Sequence, residues 1–261
     1  MIRLPHELSL RLRLRHEASV ASTNGVLMQE ASSGAEEGLV LLADVQTHGR
    51  GRQGRSWLAP PGSGLTFSVL RRPPVSAAES VRWTLLAGVA VLEAIKDFLP
   101  ECWLKWPNDV MVGERKLGGI LCERCAEPDG LRDALIVGVG LNLRPPHEGW
   151  PEEVADRATS IQEVSDGPVV GALRRGPLLV SILEHFMRRE DELLRSGPDA
   201  LMDSYRQALS PLIGRAVTVQ RDGRDRLVRV KGVQDSGALE VVDDAGEGWA
   251  VVAGDVHLGS L

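Results

Sequence analysis

One loop near the beginning of the chain holds more glycine and arginine than a structural turn needs. It runs from Gln46 to Trp57 and contains three glycines and three arginines. Glycine can take positive φ and lets backbone N–H groups come close to a ligand, and each guanidinium group offers a planar fork of donors that matches phosphate or carboxylate. The composition therefore predicts an anion-binding loop, formed by Gly49, Arg50, Gly51, Arg52, Gly54 and Arg55. A solvated basic turn and an RNA contact are the alternatives.

The sequence on either side of the loop favours a folded anion site over both alternatives. Leu39–Ala43 is a continuous apolar run, and Leu65–Leu70 alternates between apolar and polar residues after a turn at 60–64. Both patterns predict strands. Disordered arginine and glycine segments occur in repeats without flanking strands, whereas this chain has one such segment, which lies between two predicted strands.

The composition limits the classes of function. The chain has 261 residues, of which 43% are hydrophobic and 25% charged, and its formal net charge is −6. Positive charge is thus local, which disfavours a protein that binds nucleic acid over its whole surface. No apolar run has the length of a signal-peptide core or a membrane span, and three cysteines argue against a disulfide framework, so we expect a cytoplasmic protein. Cys122 and Cys125 form a C-x-x-C pair, but no second pair or nearby histidine completes a zinc site.

Periodicity and capping signals predict the elements around the loop. Leucine alternates with polar residues from Leu8 to Arg15, which predicts a strand. The small polar side chains of Ser19–Asn24 precede an apolar stretch at 26–31 and predict a helix cap, a ligand contact at that helix start, or both. A capping box at 76–79 opens a further helix, which Pro100 ends.

Two later strands contain glycine where packing side chains are expected. They cover Lys116–Glu123 and Ala134–Leu143. Glycine inside a strand indicates a bulge or a close approach to the backbone, so we expect a flat ligand to lie over this part of the sheet. Before them, Cys102–Trp106 predicts a strand, followed by a turn at 107–109 and a short hairpin around Gly113.

The C-terminal part of the chain changes from helical spacing to short strands. Helical spacing covers 168–194 and 198–209, and Ser210-Pro211 interrupts it. Valine-rich segments with glycine-containing turns follow, which predicts a small barrel of about 50 residues. We therefore expect two domains, 1–209 and 210–261, with the smaller one packed on the larger because it is close to the lower size limit for independent folding.

Five short motifs follow one another along the chain. They are Ser22-Thr23-Asn24, Gly49-Arg50-Gly51-Arg52-Gln53-Gly54-Arg55 with Gln46 and Trp57, Lys105-Trp106-Pro107-Asn108-Asp109, Lys116-Leu117-Gly118-Gly119-Ile120, and Gly138-x-Gly140-x-Asn142. Their order and approximate spacing resemble those of the biotin protein ligases, also called biotin–[acetyl-CoA-carboxylase] ligases. One such motif is weak, whereas five in order, over nearly the whole chain, are specific.

The resemblance implies a fold and an activity. The fold is α+β, with a mixed sheet and helices in a catalytic domain similar to that of class II synthetases, followed by a small SH3-like β-barrel. The activity has two steps. Biotin and MgATP give biotinyl-5′-AMP and pyrophosphate, and biotin is then transferred to a specific lysine of a biotin carboxyl carrier protein or domain, with release of AMP.

The resemblance also assigns roles to residues of this chain. The residues expected to act in catalysis are Lys116, Arg50 and Arg52. Those expected to bind biotin are Ser22, Thr23, Asn24, Gln46, Gly49, Arg50, Gly51, Arg52, Lys116, Gly118, Gly119, Gly138 and Gly140. Those expected to bind ATP or the adenylate are Arg52, Arg55, Trp57, Asn108, Lys116 and Asn142. Asp109 is expected either to order Mg²⁺ or to hydrogen-bond a loop.

The expected partner is the carrier domain of acetyl-CoA carboxylase or of a related carboxylase. Neither membrane nor DNA binding is expected, because the motifs begin near Ser19 and leave no room for the N-terminal winged helix of the DNA-binding family members. The sequence leaves monomer and homodimer open. The rival functions are a lipoate ligase or octanoyl transferase, against which the arginine-glycine loop argues, and an RNA-binding module, which the acidic net charge disfavours.

Overall fold

A large mixed sheet forms the framework of the protein. The computed structural model describes residues 2–74, 76–126, 133–165 and 174–258. Within these residues, seven strands pair in the order β1-β2-β3-β7-β6-β5-β4; β1 and β2 run parallel and the other neighbours antiparallel. The strands are β1 (Arg13–Val20), β2 (Leu39–Gln46), β3 (Gly64–Arg71), β4 (Cys102–Lys105), β5 (Asp109–Val112), β6 (Arg115–Cys125) and β7 (Ala134–Asn142).

Helices cover both faces of this sheet. They are α1 (His6–Ser9), α2 (Thr23–Ser32), α3 (Val81–Ile95), α4 (Ile161–Val164), α5 (Arg175–Ser196) and α6 (Asp199–Leu209). Side chains of successive strand residues point to opposite faces, so Leu41 of β2 packs with Leu27 of α2, whereas the neighbouring Leu42 joins the core formed with α3. This arrangement confirms the predicted mixed α+β class.

A second sheet follows α6. Its strands are β8 (Ala216–Arg221), β9 (Arg224–Val233), β10 (Leu239–Val242), β11 (Gly248–Val251) and β12 (His257–Leu258), paired antiparallel in the order β11-β10-β9-β8-β12. Its buried residues, such as Val217 and Val230, belong to the same hydrophobic cluster as α3 and α6. The two sheets thus share a core across the predicted boundary at 210. An antiparallel C-terminal sheet agrees with the expected small β domain, and its closure into an SH3-like barrel stays a prediction.

The capping signals predicted two helix starts. Ser22 is the N-cap of α2, and its Oγ accepts a hydrogen bond from the Gly25 amide at 3.3 Å. Ser76 and Glu79 form the expected capping box before α3. The helix expected at 168–194 begins at Arg175, after the extended backbone of Arg174, and ends at Ser196; residues 168–173 of that prediction lie outside the described part of the chain.

One predicted strand was wrong at its beginning. The alternation from Leu8 to Arg15 spans the end of α1 and only the first residues of β1. Leu8 and Leu12 are buried and four residues apart, which suits a helical turn, whereas Leu10 is 73% exposed. A stretch this short fits a period of two and a helical period almost equally well.

Candidate functional site

A cavity of about 650 Å³ opens between the first sheet, the arginine-glycine loop and the C-terminal sheet. Residues of all five motifs line it. The predicted site residues in its wall are Ser22, Thr23, Asn24, Gln46, Arg50, Gly51, Arg52, Arg55, Trp57, Asn108, Asp109, Lys116, Gly119, Gly138, Gly140 and Asn142. Gly49 and Gly118 do not line it: a Cβ on Gly118 would meet the Leu141 side chain, and Gly49 lies behind the loop against Trp57.

The arginine-glycine loop is closed by its own backbone. The Trp57 amide donates to the Gly49 carbonyl at 2.9 Å, and a Cβ on Gly49 would lie only 2.3 Å from the Trp57 carbonyl oxygen. Of the three loop glycines, only Gly54 takes positive φ, at 74°, together with the non-glycine residue Gln53, at 54°. The expectation of positive φ was therefore wrong for Gly49 and Gly51, and Gly49 is required for close approach instead.

The flat group over the glycines of β6 and β7 is the indole of Trp57. A Cβ on Gly140 would lie 2.4 Å from Trp57 Cε2, and one on Gly119 would lie 3.6 Å from its Cζ3. Two residues along β7, a Cβ on Gly138 would lie 2.2 Å from Asn24 Oδ1. The glycines of β7 thus make room for two side chains of this protein, where the sequence predicted a flat ligand.

A carboxylate between two ammonium groups forms one end of the site. Asp109 Oδ1 lies 2.5 Å from Lys116 Nζ, and Asp109 Oδ2 lies 2.8 Å from Lys105 Nζ. Burial alone would raise the pKa of Asp109, but the two lysines outweigh it and hold the pKa of this carboxyl below its usual value. Lys116 Nζ also lies 5.7 Å from the centroid of the Trp57 ring, within the range of a cation–π contact.

This arrangement does not suit a protein-held metal ion. Both Asp109 oxygens face ammonium groups. Within the described ranges, no group of three histidine, cysteine, aspartate or glutamate residues could hold an ion. Hard cations such as Mg²⁺ need several oxygen ligands. The contacts of Asp109 therefore support the other expected role, a hydrogen-bonding partner within the site.

Neutral polar side chains form the other end. Gln46 Oε1 accepts from the Thr23 amide at 2.7 Å and lies 3.0 Å from Thr23 Oγ1. Asn24 Nδ2 donates to Glu123 Oε2 at 2.9 Å, and the other oxygen of Glu123 pairs with Arg50 Nη2 at 2.5 Å. These contacts connect the first motif to the arginine-glycine loop.

The C-terminal sheet reaches the same cavity through the segment before β12. Arg52 Nη1 donates to the Gly254 carbonyl at 3.1 Å and lies 3.4 Å from Asp255 Oδ1. Arg55 Nη2 lies 2.6 Å from Asp255 Oδ2. Two arginines expected to bind the adenylate are thus held by a carboxylate about 200 residues further along the chain.

Both asparagines expected at the adenylate also hold neighbouring backbone. Asn108 Nδ2 donates to the Ile120 carbonyl at 2.7 Å, and Asn142 Nδ2 donates to the Thr159 carbonyl at 2.9 Å. Asn108 Oδ1 also lies 3.5 Å from Arg52 Nη1, at the long limit of a hydrogen bond, so Asn108 connects β6 to the arginine-glycine loop.

Sequence reasoning missed four residues that the structure brings into or against the site. They are Ser68, Lys105, Glu123 and Asp255. Lys105 was part of a recognised motif but received no role. Ser68 could have been noticed as a hydroxyl within an apolar strand, whereas no local pattern marks Glu123 or Asp255.

Comparison with known proteins agrees with this site. A model of the biotin/lipoate A/B protein ligase family matches residues 17–142. The biotin–[acetyl-CoA-carboxylase] ligase of Mycobacterium tuberculosis (strain H37Rv) is 36% identical over 249 residues, which cover 92% of this chain and 87% of that protein. The bifunctional ligase/repressor BirA of Bacillus spizizenii is 33% identical over 185 residues, which cover 70% of this chain and 55% of that protein. The chain thus spans about half the length of that relative.

A solved structure shares the fold over almost the full length. The biotin protein ligase from Aquifex aeolicus in complex with biotin and ATP superposes with a TM-score of 0.79 at 27% sequence identity, covering 95% of this chain and 98% of that one. Sequence relatives, shared fold and the convergence of five motifs on one cavity show that this chain belongs to the biotin protein ligases of the biotin/lipoate A/B protein ligase family.

Proposed function

We propose that this chain is a biotin–protein ligase that activates biotin with ATP and transfers it to a lysine of a carrier protein. In the first step, the carboxylate of biotin attacks the α-phosphorus of ATP, pyrophosphate leaves, and biotinyl-5′-AMP forms. In the second, the amine of the target lysine attacks the acyl carbon of this mixed anhydride and AMP leaves.

One observation carries the proposal. A single cavity contains a neutral hydrogen-bonding cluster, Thr23 and Gln46, and the Trp57 indole with Lys116 beside it. Asn24, next to Thr23, lies over Gly138 of β7, and the indole lies over Gly140, two residues further along the strand. Two strand residues span roughly 7 Å. This order of groups would suit a ligand with a neutral polar ring at one end and an ionised carboxylate at the other, where the carboxylate reacts with a nucleotide.

The first step needs charge neutralisation more than a base. The biotin carboxylate, with an ordinary pKa of about 4, is already ionised at pH 7, and it must approach a polyanion. Lys116 would neutralise the reacting oxygens, a role supported by the position of its ammonium group in the cavity wall beside Trp57. Arg50, Arg52 and Arg55 would align the phosphates from the loop side.

The remaining assignments rest on the resemblance of the chain to its family. The neutral cluster with Gly138 would hold the bicyclic ring of biotin, and Trp57, Asn108 and Asn142 would bound the AMP half. Mg²⁺ would arrive with ATP, since the contacts of Asp109 do not suit an ion held by the protein. A carboxyl carrier domain as partner and a cytoplasmic location stay predictions. No described helix is long and apolar enough to cross a membrane.

The test incubates the purified chain with biotin, ATP, Mg²⁺ and a biotin carboxyl carrier domain, and reads the intact mass of the carrier. We expect the addition of one biotinyl group, and none when the target lysine of the carrier is replaced by arginine. Lipoate or octanoate in place of biotin tests the rival acyl transfer. Modification by either acid, without modification by biotin, would reject the proposed function.

A further inference from the structure

Lys105 is a second lysine in the cavity wall, beside the first. It is the last residue of β4, it lines the cavity, and 18% of its side chain is exposed. Its ammonium group lies 2.8 Å from Asp109 Oδ2, while Asp109 Oδ1 lies 2.5 Å from Lys116 Nζ. One carboxylate thus serves two ammonium groups, and only Lys116 has a role in the proposed first step.

The charge of this group exceeds what one ion pair needs. Within the part of the chain that the structure describes, the ion pairs of Lys105 and of Lys116 are both made with Asp109. Two positive charges therefore face one negative charge in the cavity wall. A partly buried cation without a full counter-charge is costly, and neutralising Asp109 would take one lysine only. An anion that binds beside Lys105 would balance the second positive charge.

Strand pairing gives the order of these groups across the sheet. Gly140 of β7 pairs with Gly119 of β6, and Gly119 pairs with Asp109 of β5. Asp109 pairs in turn with Lys105 of β4. Neighbouring strands lie about 4.8 Å apart, so the backbone of Lys105 lies roughly 10 Å from that of Gly119.

Lys116 lies between the neutral end of the cavity and Lys105. A Cβ on Gly119 would lie 3.2 Å from Lys116 Nζ, which places this ammonium group over β6. Asn24, next to the neutral cluster, lies over Gly138 of β7, and β4 lies on the other side of β6 from β7. A ligand that extends from the neutral cluster across the sheet therefore meets Lys116 first and Lys105 beyond it.

The chemistry of the proposed first step gives this order a meaning. A carboxylate oxygen of biotin forms a bond to the α-phosphorus of ATP, the bond from that phosphorus to the bridging oxygen breaks, and pyrophosphate leaves with the bridging oxygen and the electron pair. The attacking and leaving oxygens lie roughly in line at the phosphorus. With biotin held at the neutral cluster and the α-phosphate at Lys116, pyrophosphate leaves on the side of Lys105.

We propose that Lys105 is a further catalytic residue, which binds the leaving pyrophosphate. Its ammonium group neutralises the charge that builds up on the bridging and β-phosphate oxygens as the bond breaks. The second step involves no pyrophosphate, so Lys105 acts in adenylate formation and not in transfer to the carrier. The inference rests on the proposed function, which supplies the nucleotide.

The first test separates the two half-reactions in Lys105→Met, which keeps an unbranched side chain and removes the ammonium group. Synthesis of ATP from biotinyl-5′-AMP needs pyrophosphate, whereas transfer of biotin from preformed biotinyl-5′-AMP to the carrier does not. We expect the KM for pyrophosphate to rise roughly ten- to hundredfold, because one charge-assisted contact is lost, while the kcat/KM of transfer changes less than about twofold.

Lys105→Arg and Lys231→Ala are the controls. Arginine restores a cation at position 105, so its KM for pyrophosphate should stay within about threefold of wild type. Lys231 is an exposed residue of β9, and its loss should change neither half-reaction. Denaturant unfolding of each variant shows whether the fold is kept.

A second test uses the wild-type protein, so it does not depend on the folding of a variant. The sequence contains four lysines, which are Lys96, Lys105, Lys116 and Lys231. A non-hydrolysable analogue of biotinyl-5′-AMP is bound first, to cover Lys116. Added pyrophosphate should then slow the reductive methylation of Lys105 severalfold and leave Lys96 and Lys231 unchanged, as read by peptide mass spectrometry, whereas sulfate at equal ionic strength should protect none of them.

Each outcome decides the inference. An unchanged KM for pyrophosphate in Lys105→Met would overturn it, and so would methylation of Lys105 that pyrophosphate does not slow. Equal losses in both half-reactions would also overturn it, because they would show that Lys105 only holds Asp109 in place. If the wild-type protein carries out neither half-reaction, the proposed function itself fails, whereas the other outcomes leave that function intact.

Discussion

At the scale of single residues, the site is a set of charges that neutralise one another before substrate arrives. Lys105, Asp109 and Lys116 form one group, and Arg50 with Glu123 forms another. Each cation is held in place by a carboxylate and therefore loses little side-chain entropy when an anionic substrate binds. We therefore expect loss of a carboxylate to lower the free energy of unfolding, and loss of a cation to slow the reaction.

Replacing Lys116 by alanine should slow adenylate formation by about 10²–10³-fold, because an ammonium group beside the reacting oxygens stabilises charge that develops in the transition state. Biotin-dependent pyrophosphate exchange measures this step. Lys231→Ala, an exposed lysine on the second sheet, is the control and should leave the rate unchanged. A wild-type rate in Lys116→Ala would remove Lys116 from the catalytic groups.

Replacing Asp109 by asparagine should lower the free energy of unfolding by about 2 kcal/mol at pH 7, because the ammonium groups of Lys105 and Lys116, which are only partly exposed, lose their counter-charge. The folded-state pKa of Asp109 is depressed, so its stabilisation is present in full above the unfolded value of about 3.9 and is lost as pH falls through the folded value. Denaturant unfolding at several pH values checks this. The difference from wild type should be constant near neutrality and shrink in acid, and the exposed Asp97→Asn is the control for the general effect of removing one carboxylate.

At the scale of elements, the arginine-glycine loop joins two strands of the first sheet and brings Arg50, Arg52 and Arg55 to the cavity wall. Its closure depends on Gly49 against Trp57, and Trp57 in turn lies against Gly140 of β7. A loop of this composition has high conformational entropy when free, so the contacts that Arg52 makes help to keep it ordered.

Replacing Arg52 by glycine should let the reactive intermediate escape. One charge-assisted contact is worth about 1.5–3 kcal/mol, so the off-rate of biotinyl-5′-AMP should rise roughly ten- to hundredfold. Escaped mixed anhydride acylates exposed lysines, and a bystander such as serum albumin should become labelled. Arg224→Gly, at the exposed start of β9, is the control. An unlabelled bystander with an unchanged off-rate would reassign the retention of the intermediate to Arg50 or Arg55.

At the scale of the whole molecule, the C-terminal sheet is built into the site. Trp106 Nε1 donates to the Gly237 carbonyl at 2.8 Å, and Asp255 reaches Arg52 and Arg55 in the loop. The hydrophobic core continues from the first sheet into the second. Motion of the second sheet would therefore change the position of the loop arginines.

Replacing Trp106 by phenylalanine should loosen the docking of the second sheet, because the indole N–H bond is lost and the Gly237 carbonyl is left buried without a donor. We expect amide hydrogen exchange in 216–251 to speed up about tenfold. Trp103→Phe is the matched control, since its indole donates to Gly113 at 2.8 Å within the β5–β6 hairpin. Equal effects of both substitutions on the second sheet would argue against a specific role for Trp106 in docking.

Much of this protein could be predicted from local sequence. The capping box before α3, the Ser22 cap and the strands on either side of the loop all follow from spacing and residue type over a few positions. Local patterns determine local backbone geometry, because caps and side-chain periodicity act within one or two turns. The exception is Leu8–Arg15, where the two-residue period of a strand and the period of a helix fit the sequence equally well.

The tertiary structure decided which distant groups meet. No local sequence pattern shows that Trp57 covers Gly140, that Asp255 pairs with Arg52 across about 200 residues, or that Ser68 donates a hydrogen bond to Asn24. The physical reason is that hydrogen bonds and ion pairs depend on distances of about 3 Å, which only the packing of the sheets and helices sets. The sequence thus determined the strands and helix starts that carry the five motifs, and the fold determined which charged and polar groups of the cavity wall pair with one another.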